Sequence, residues 1–121
     1  MDSSLKVVSV KFFRSPSGSE PVREWLKELE KDDRRIIGAD IKTVEFGWPL
    51  GMPFCRSIHG YKDLWEVRSK LTKGRIARVV FFIQDGEMIL LHGFMKKSQK
   101  TPQDDLELAN RRRKEHEKHG K

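Results

Sequence analysis

The chain has 121 residues, of which hydrophobic and charged types each make up 36%, and a formal charge of +7 at pH 7. That length supports one self-sufficient core, burying about two thirds of the surface an unfolded chain exposes, and the mixture excludes a disordered polyelectrolyte. No apolar run nears the roughly eighteen residues of a membrane span, so no membrane is expected, and the excess of positive charge draws polyanions. Nucleic acid leads, with an acidic protein or an anionic membrane surface feeling the same pull. Cys55 is the sole cysteine, which excludes an internal disulfide and suits a reducing cytoplasm. The opening Asp2-Ser3-Ser4 lacks the basic start and apolar stretch of a secretory signal, so a cytoplasmic protein is expected.

From Leu5 to Phe13, Val8, Val10 and Phe12 alternate with Ser9 and Lys11, the period of a half-buried strand. Ser15-Pro16-Ser17-Gly18-Ser19 ends it as a loop, and Ser19 is placed to cap a helix. That helix carries Val22, Trp25, Leu26 and Leu29 on one stripe. Asp32-Asp33 supplies a capping carboxylate for a second helix with stripe Ile36, Ile37, Ile41 and Val44, which stops at Phe46-Gly47. The pair reads as an antiparallel hairpin of helices laid on a sheet.

Trp48 to Pro53 is a loop, Cys55 to Ile58 a short strand, and His59 to Asp63 a turn in which His59 is a solvated imidazole. Cys55 reads as a small buried apolar residue instead of a nucleophile. In Leu64 to Leu71, Trp65, Val67, Ser69 and Leu71 share a core face, and Leu64, Glu66, Arg68 and Lys70 share a charged one. Thr72-Lys73-Gly74 turns the chain into Arg75 to Ile83, apolar on both faces and hence a central strand. Asp85-Gly86 is a strong hairpin signal, and Glu87 to Phe94 completes a three-strand meander.

Beyond it, Thr101-Pro102 opens a last helix reaching about Glu117, whose few apolar positions are Leu106, Leu108 and Ala109. Residues from about 111 onward form a basic, solvated tail, and His116 and His119 are expected to lie in its frayed end without binding zinc. The predicted fold is therefore α+β in a single domain of residues 1–121. An antiparallel twisted sheet of four or five strands combines the N-terminal strand with the meander, a two-helix hairpin lies on it, and a helix closes the chain.

The Lys73-Gly74 turn sets a register in which Arg68 and Arg78 come close to opposite one another on adjacent strands. The third strand delivers Lys96 and Lys97 from its end, and Lys100 stands near a helix N-terminus that itself favours anions. Two guanidinium groups and an ammonium around one concave patch fit a phosphodiester, with Glu66 orienting an arginine. RNA cleavage by its own 2′-OH needs a base, cations for the charge on the phosphorane, and an acid for the leaving oxygen. The arginines supply the cations, and a lysine with its pKa lowered by neighbouring cations supplies the base, with no metal or other cofactor called for. The bland alternative is a charge ladder in which Glu66 and Lys70 pair with Arg68 and Arg78.

The segments Pro21 to Leu26, Leu64-Trp65-Glu66-Val67-Arg68, Arg78 to Phe82 and Leu90 to Pro102 together resemble the phage-derived, HigB-like branch of the RelE/ParE toxin superfamily. The run Gly93-Phe94-Met95-Lys96-Lys97 followed by Thr101-Pro102 is the most specific part. The resemblance implies the toxin of a type II toxin-antitoxin pair. Such a toxin enters the ribosomal A site, cleaves mRNA without metal, and is neutralised by a helix-turn-helix antitoxin. It implies Arg68, Arg78, Lys96 and Lys97 as catalytic, with Glu66, Arg75, His92, Phe94, Ser98, Gln99, Lys100 and Thr101 around the substrate. Superfamily members often carry a Tyr or His at the end of the site; here only His92 is offered by the last strand, and Lys96 or Lys97 is left as the base. The superfamily's gyrase poisons share the fold without cutting RNA, so a non-enzymatic inhibitor of an acidic protein is the alternative function.

Overall fold

The computed structural model describes residues 5–51, 55–96 and 102–119. The elements follow as β1 (Ser9–Phe12), α1 (Pro21–Glu28), α2 (Lys31–Gly47), β2 (Cys55–Ser57), β3 (Trp65–Lys70), β4 (Ile76–Gln84), β5 (Glu87–Met95) and α3 (Gln103–His119). They build one five-stranded sheet in the order β1-β5-β4-β3-β2. The meander and β2 pair antiparallel, whereas β1 joins β5 in parallel, because two helices carry the chain across the sheet between β1 and the strands that follow. The β4–β5 hairpin closes through Asp85 and Gly86 at φ 52° and 77°, the doubly left-handed loop that an Asp-Gly pair favours.

The sheet is covered on both sides. On one face Val22, Ile37, Ile41 and Val44 from α1 and α2 pack on Val67, Val79, Phe81, Met88 and Leu90. On the other, Leu106 and Ala109 of α3 pack on Val80, Phe82, Ile89 and Leu91. Apolar residues on both faces of β4 follow from its central place. No helix among the described residues is long and apolar enough to cross a membrane.

Local signals differ from expectation at the helix ends. Ser19 does not cap α1: its hydroxyl is hydrogen-bonded to that of Ser15 at 2.7 Å, and the carboxylate of Glu24 accepts from the Glu20 amide instead. Asp33 does not cap α2, which begins two residues earlier; its carboxylate is taken by Arg75. The C-terminal end departs further. His116 is not in a frayed tail but 8% exposed, its ring edge-on to Phe82 at 5.7 Å. Arg112 is likewise half-buried, donating to the Leu91 carbonyl at 2.9 Å with its guanidinium over the Phe13 ring. Leu106, Ala109, Arg112 and His116 recur three or four apart, so one stripe of α3 meets the sheet, and half of that stripe is polar.

The open side of β1 is closed by α2. The amides of Val7 and Val8 donate to the Glu45 carbonyl at 2.8 and 3.1 Å, and that of Val10 donates to the Glu45 carboxylate at 2.8 Å. Lys6 neutralises this buried carboxylate at 3.3 Å.

Cys55 is 1% exposed in the core, and burial pushes its thiol up to about 11. The native protein is expected to resist alkylation at neutral pH and to react promptly once denaturant is added, read by mass spectrometry. Rapid labelling of the folded chain would contradict this burial.

Candidate functional site

The Thr72–Gly74 turn sets the β3–β4 register so that Arg68 lies directly opposite Arg78, and Phe94 of β5 lies on the other side of Arg78. Alternation along the three strands puts these residues on the face that carries α3, together with Glu66. Glu66 is 1% exposed, and its two carboxylate oxygens face two different arginines. Oε1 is 2.9 Å from Arg56 Nη2, and Oε2 is 3.5 Å from Arg78 Nε. The carboxylate therefore forms ion pairs with Arg56 and Arg78, and among the described residues it forms none with Arg68.

Arg68 is half-buried, and its Nε, like that of Arg78, is buried with no hydrogen-bond partner among the described residues. The cross-strand charge ladder is thus incomplete: three guanidinium groups surround one carboxylate, which leaves a local excess of positive charge. Arg78 registers that excess. Burial lowers its pKa first, Glu66 opposes this, and Arg56 and Arg68 lower it again by repulsion. An arginine stays charged under such pressure, so the local excess of positive charge is kept and not lost with a proton.

Arg56 had no place in the expected site. The His59–Asp63 turn gives the signal for it, since counting back from a hairpin that pairs Ile58 with Leu64 sets Arg56 opposite Glu66. The register of a three-residue edge strand is weak evidence in a sequence, and the arginine passes for surface charge.

The other expected residues divide. The Lys96 amide donates to the Ile76 carbonyl at 2.8 Å, which keeps the end of β5 beside the start of β4, one step beyond the Ala77–Met95 pair. Phe94 is buried and stacks on His92, with centroids 5.5 Å apart. Arg75 is not brought to the cluster. It reaches back to α2 in a bidentate pair with Asp33, both bonds 2.8 Å, and its remaining donors bond to Thr72. That pairing holds the Asp33 carboxyl below its usual range. Lys97, Ser98, Gln99, Lys100 and Thr101 lie outside the described residues.

His92 is engaged at both ring nitrogens. Nε2 is 2.7 Å from Asp105 Oδ1 at the start of α3, and Arg112 Nη1 approaches Nδ1 at 3.4 Å. These partners assign a neutral ring that donates through Nε2 and accepts at Nδ1, so no lone pair is left for a substrate proton. The step in the β4–β5 register between Val80 and Phe81 leaves Leu91 unmatched and puts Leu91 and His92 on the α3 face together.

His92 and His116 both sit below their ordinary 6.5, chiefly through burial. For His92, Asp105 opposes the shift and Arg112 adds to it; for His116, Lys11 adds to it while Glu87 and Glu117 oppose it. Below 6.5 the unfolded chain therefore binds more protons than the folded one, and stability is lost until the folded values are passed. Urea midpoints are expected to fall between about pH 7 and about pH 5, less steeply in a His92→Gln/His116→Phe variant. An unchanged slope would show that neither ring is neutral in the fold.

No three of His, Cys, Asp and Glu are grouped as metal ligands among the described residues. Residues 24–114 match the family described as Phage derived protein Gp49-like. The chain belongs to that family. Gp49-like proteins are RelE/ParE-like toxins, so this chain is a toxin-family protein for which an antitoxin partner is implied. The matched span runs from α1 into the second half of α3 and includes Arg56, Glu66, Arg68 and Arg78. Comparison with curated proteins gives no match.

Proposed function

We propose that this Gp49-like chain is a HigB-like endoribonuclease of the cytoplasm that enters the ribosomal A site and cuts translated mRNA without a metal. The observation that carries the reading is the Arg68–Arg78 cross-strand pair, which with Arg56 outnumbers the one carboxylate among them. Charge fixed before the substrate arrives stabilises charge that develops later, and a cluster of guanidinium groups suits the negative charge that the phosphorane of 2′-OH attack gains. Glu66 holds Arg78 and Arg56, Arg68 supplies the uncommitted donors, and Lys96 or Lys97 takes the 2′ proton. His92 is excluded as base by its two partners and serves instead to seat α3. A helix-turn-helix antitoxin neutralises the toxin.

The test is a reconstituted translation reaction with the purified chain, its mRNA mapped by primer extension. Expected are cuts within ribosome-bound codons, leaving 2′,3′-cyclic phosphate ends, and none in free mRNA. Intact message together with inhibited DNA gyrase would sink the nuclease reading in favour of a non-enzymatic inhibitor.

A further inference from the structure

The margin of the sheet at β1 is covered only in part. The amides of Ser9 and Phe13 donate inward to the carbonyls of Gly86 and Leu90, so in this parallel ladder those of Val10 and Phe12 turn outward. Val10 gives its amide to the Glu45 carboxylate, whereas that of Phe12 has no acceptor among the described residues. Where the cover stops, a cavity of about 670 Å³ lies between the end of β1, the loop that follows it and the last turns of α3. That is the size of a pocket for a small molecule.

Phe12 and Pro16 give the cavity apolar walls, and the His116 ring closes it from α3. Burial and the neighbouring Lys11 hold that ring below its ordinary 6.5, so at neutral pH it offers a polar edge without charge. Four charged side chains remain in the lining, Lys11 and Arg14 against Glu20 and Glu115. Both cations are exposed and loosely held, Arg14 at 3.8 Å from Glu20 and Lys11 at 3.9 Å from Glu87. Surface pairs of that length contribute little, so either cation can turn to a better partner at small cost. In a chain of net charge +7, equal numbers of the two signs around one cavity argue against a phosphate-rich ligand. A small molecule with one charge of each sign and an apolar body suits the whole lining.

We infer that this cavity binds a free α-amino acid with an apolar side chain. Its carboxylate takes the Phe12 amide with Lys11 and Arg14 beside it, its ammonium lies toward Glu20 and Glu115, and its side chain rests on Phe12 and Pro16. The cavity is at the β1 margin and shares no residue with the arginine cluster on β2, β3 and β4, so the inference rests on no reading of the catalytic activity.

The test titrates the full chain with L-leucine, L-methionine and L-phenylalanine. Each is compared with its amide, which lacks the carboxylate, and with its N-acetyl form, which lacks the ammonium charge. By calorimetry and saturation-transfer NMR, at least one free amino acid should bind with a Kd of about 1 mM or tighter. Its two derivatives should bind at least about tenfold more weakly, through loss of charge-assisted hydrogen bonds. Lys11→Gln/Arg14→Gln, at two exposed positions and with its fold checked by circular dichroism, should weaken the free amino acid by a similar factor, and Arg68→Ala should leave it unchanged. No binding by any of the three would overturn the inference. So would equal binding of acid and amide, which marks an apolar slot alone, or tighter binding of AMP, which marks a polyanion site. Normal binding by the double variant, or weakened binding by Arg68→Ala, would overturn it by seating the ligand elsewhere.

Discussion

Arg68→Ala is expected to cut mRNA cleavage on the ribosome by roughly ten- to a hundredfold, the loss of one charge-assisted phosphate contact of about 1.5 to 3 kcal/mol, without destabilising the fold. Arg68 has no carboxylate partner among the described residues, and the like-charged Arg78 stands opposite it across the strands. Removing it relieves repulsion, so the urea midpoint should hold or rise. Arg78→Ala should behave differently. It takes one of two cations from a fully buried Glu66, leaving Arg56 alone against that carboxylate, so about 3 kcal/mol of stability should go with the activity. The contrast separates a group retained for binding an anion from one that also holds the sheet together. Full cleavage by a folded Arg68→Ala would remove the main support for the nuclease reading. Equal stability losses in the two variants would show Arg68 to be an ordinary structural cation.

The second large effect is at Gly93. A Cβ there would overlap the six-membered ring of Trp25, so α1 can approach this strand only over a residue with no side chain. Gly93→Ala should lower stability by roughly 1 to 3 kcal/mol, as overpacking does when the neighbour is a half-buried aromatic ring packed against the core. Trp25→Leu should cost stability by itself through the space it leaves, yet the double variant should lose less than the two singles together, because the smaller side chain accepts the new methyl. Urea denaturation of the four proteins gives the coupling. Strict additivity would mean that the ring relocates without cost. Gly93 stands between His92 and Phe94, whose rings face the other side of the sheet, so a displaced β5 should also lower cleavage.

Much of this was legible before any coordinates. The alternation of Leu64 to Leu71, the two-faced apolar run of β4 and the Asp85-Gly86 turn dictate the meander, and the tight turn at Lys73 places Arg68 against Arg78 by counting alone. The helix stripes were equally plain. What escaped depended on contacts between residues far apart in the chain. Asp33 reads as a helix cap until Arg75, forty-two positions later, arrives to claim it. Glu66 reads as a surface acid until β2 and β4 close over it from both sides. His116 and Arg112 look solvated because burial of polar groups is licensed by their partners, the Phe82 ring and the Leu91 carbonyl, which periodicity does not show.

The closure of β1 by Glu45 bears on how the molecule behaves in a crowd. A sheet with bare margins recruits further strands, its own copies included, and a toxin released at high local concentration would polymerise into inactive aggregates. Here the first strand spends outward-facing amides at Val8 and Val10 on a helix of the same chain, and the opposite margin is a strand of only three residues that carries the charged Arg56. Neither margin of the sheet is therefore left as a long bare template for a further strand.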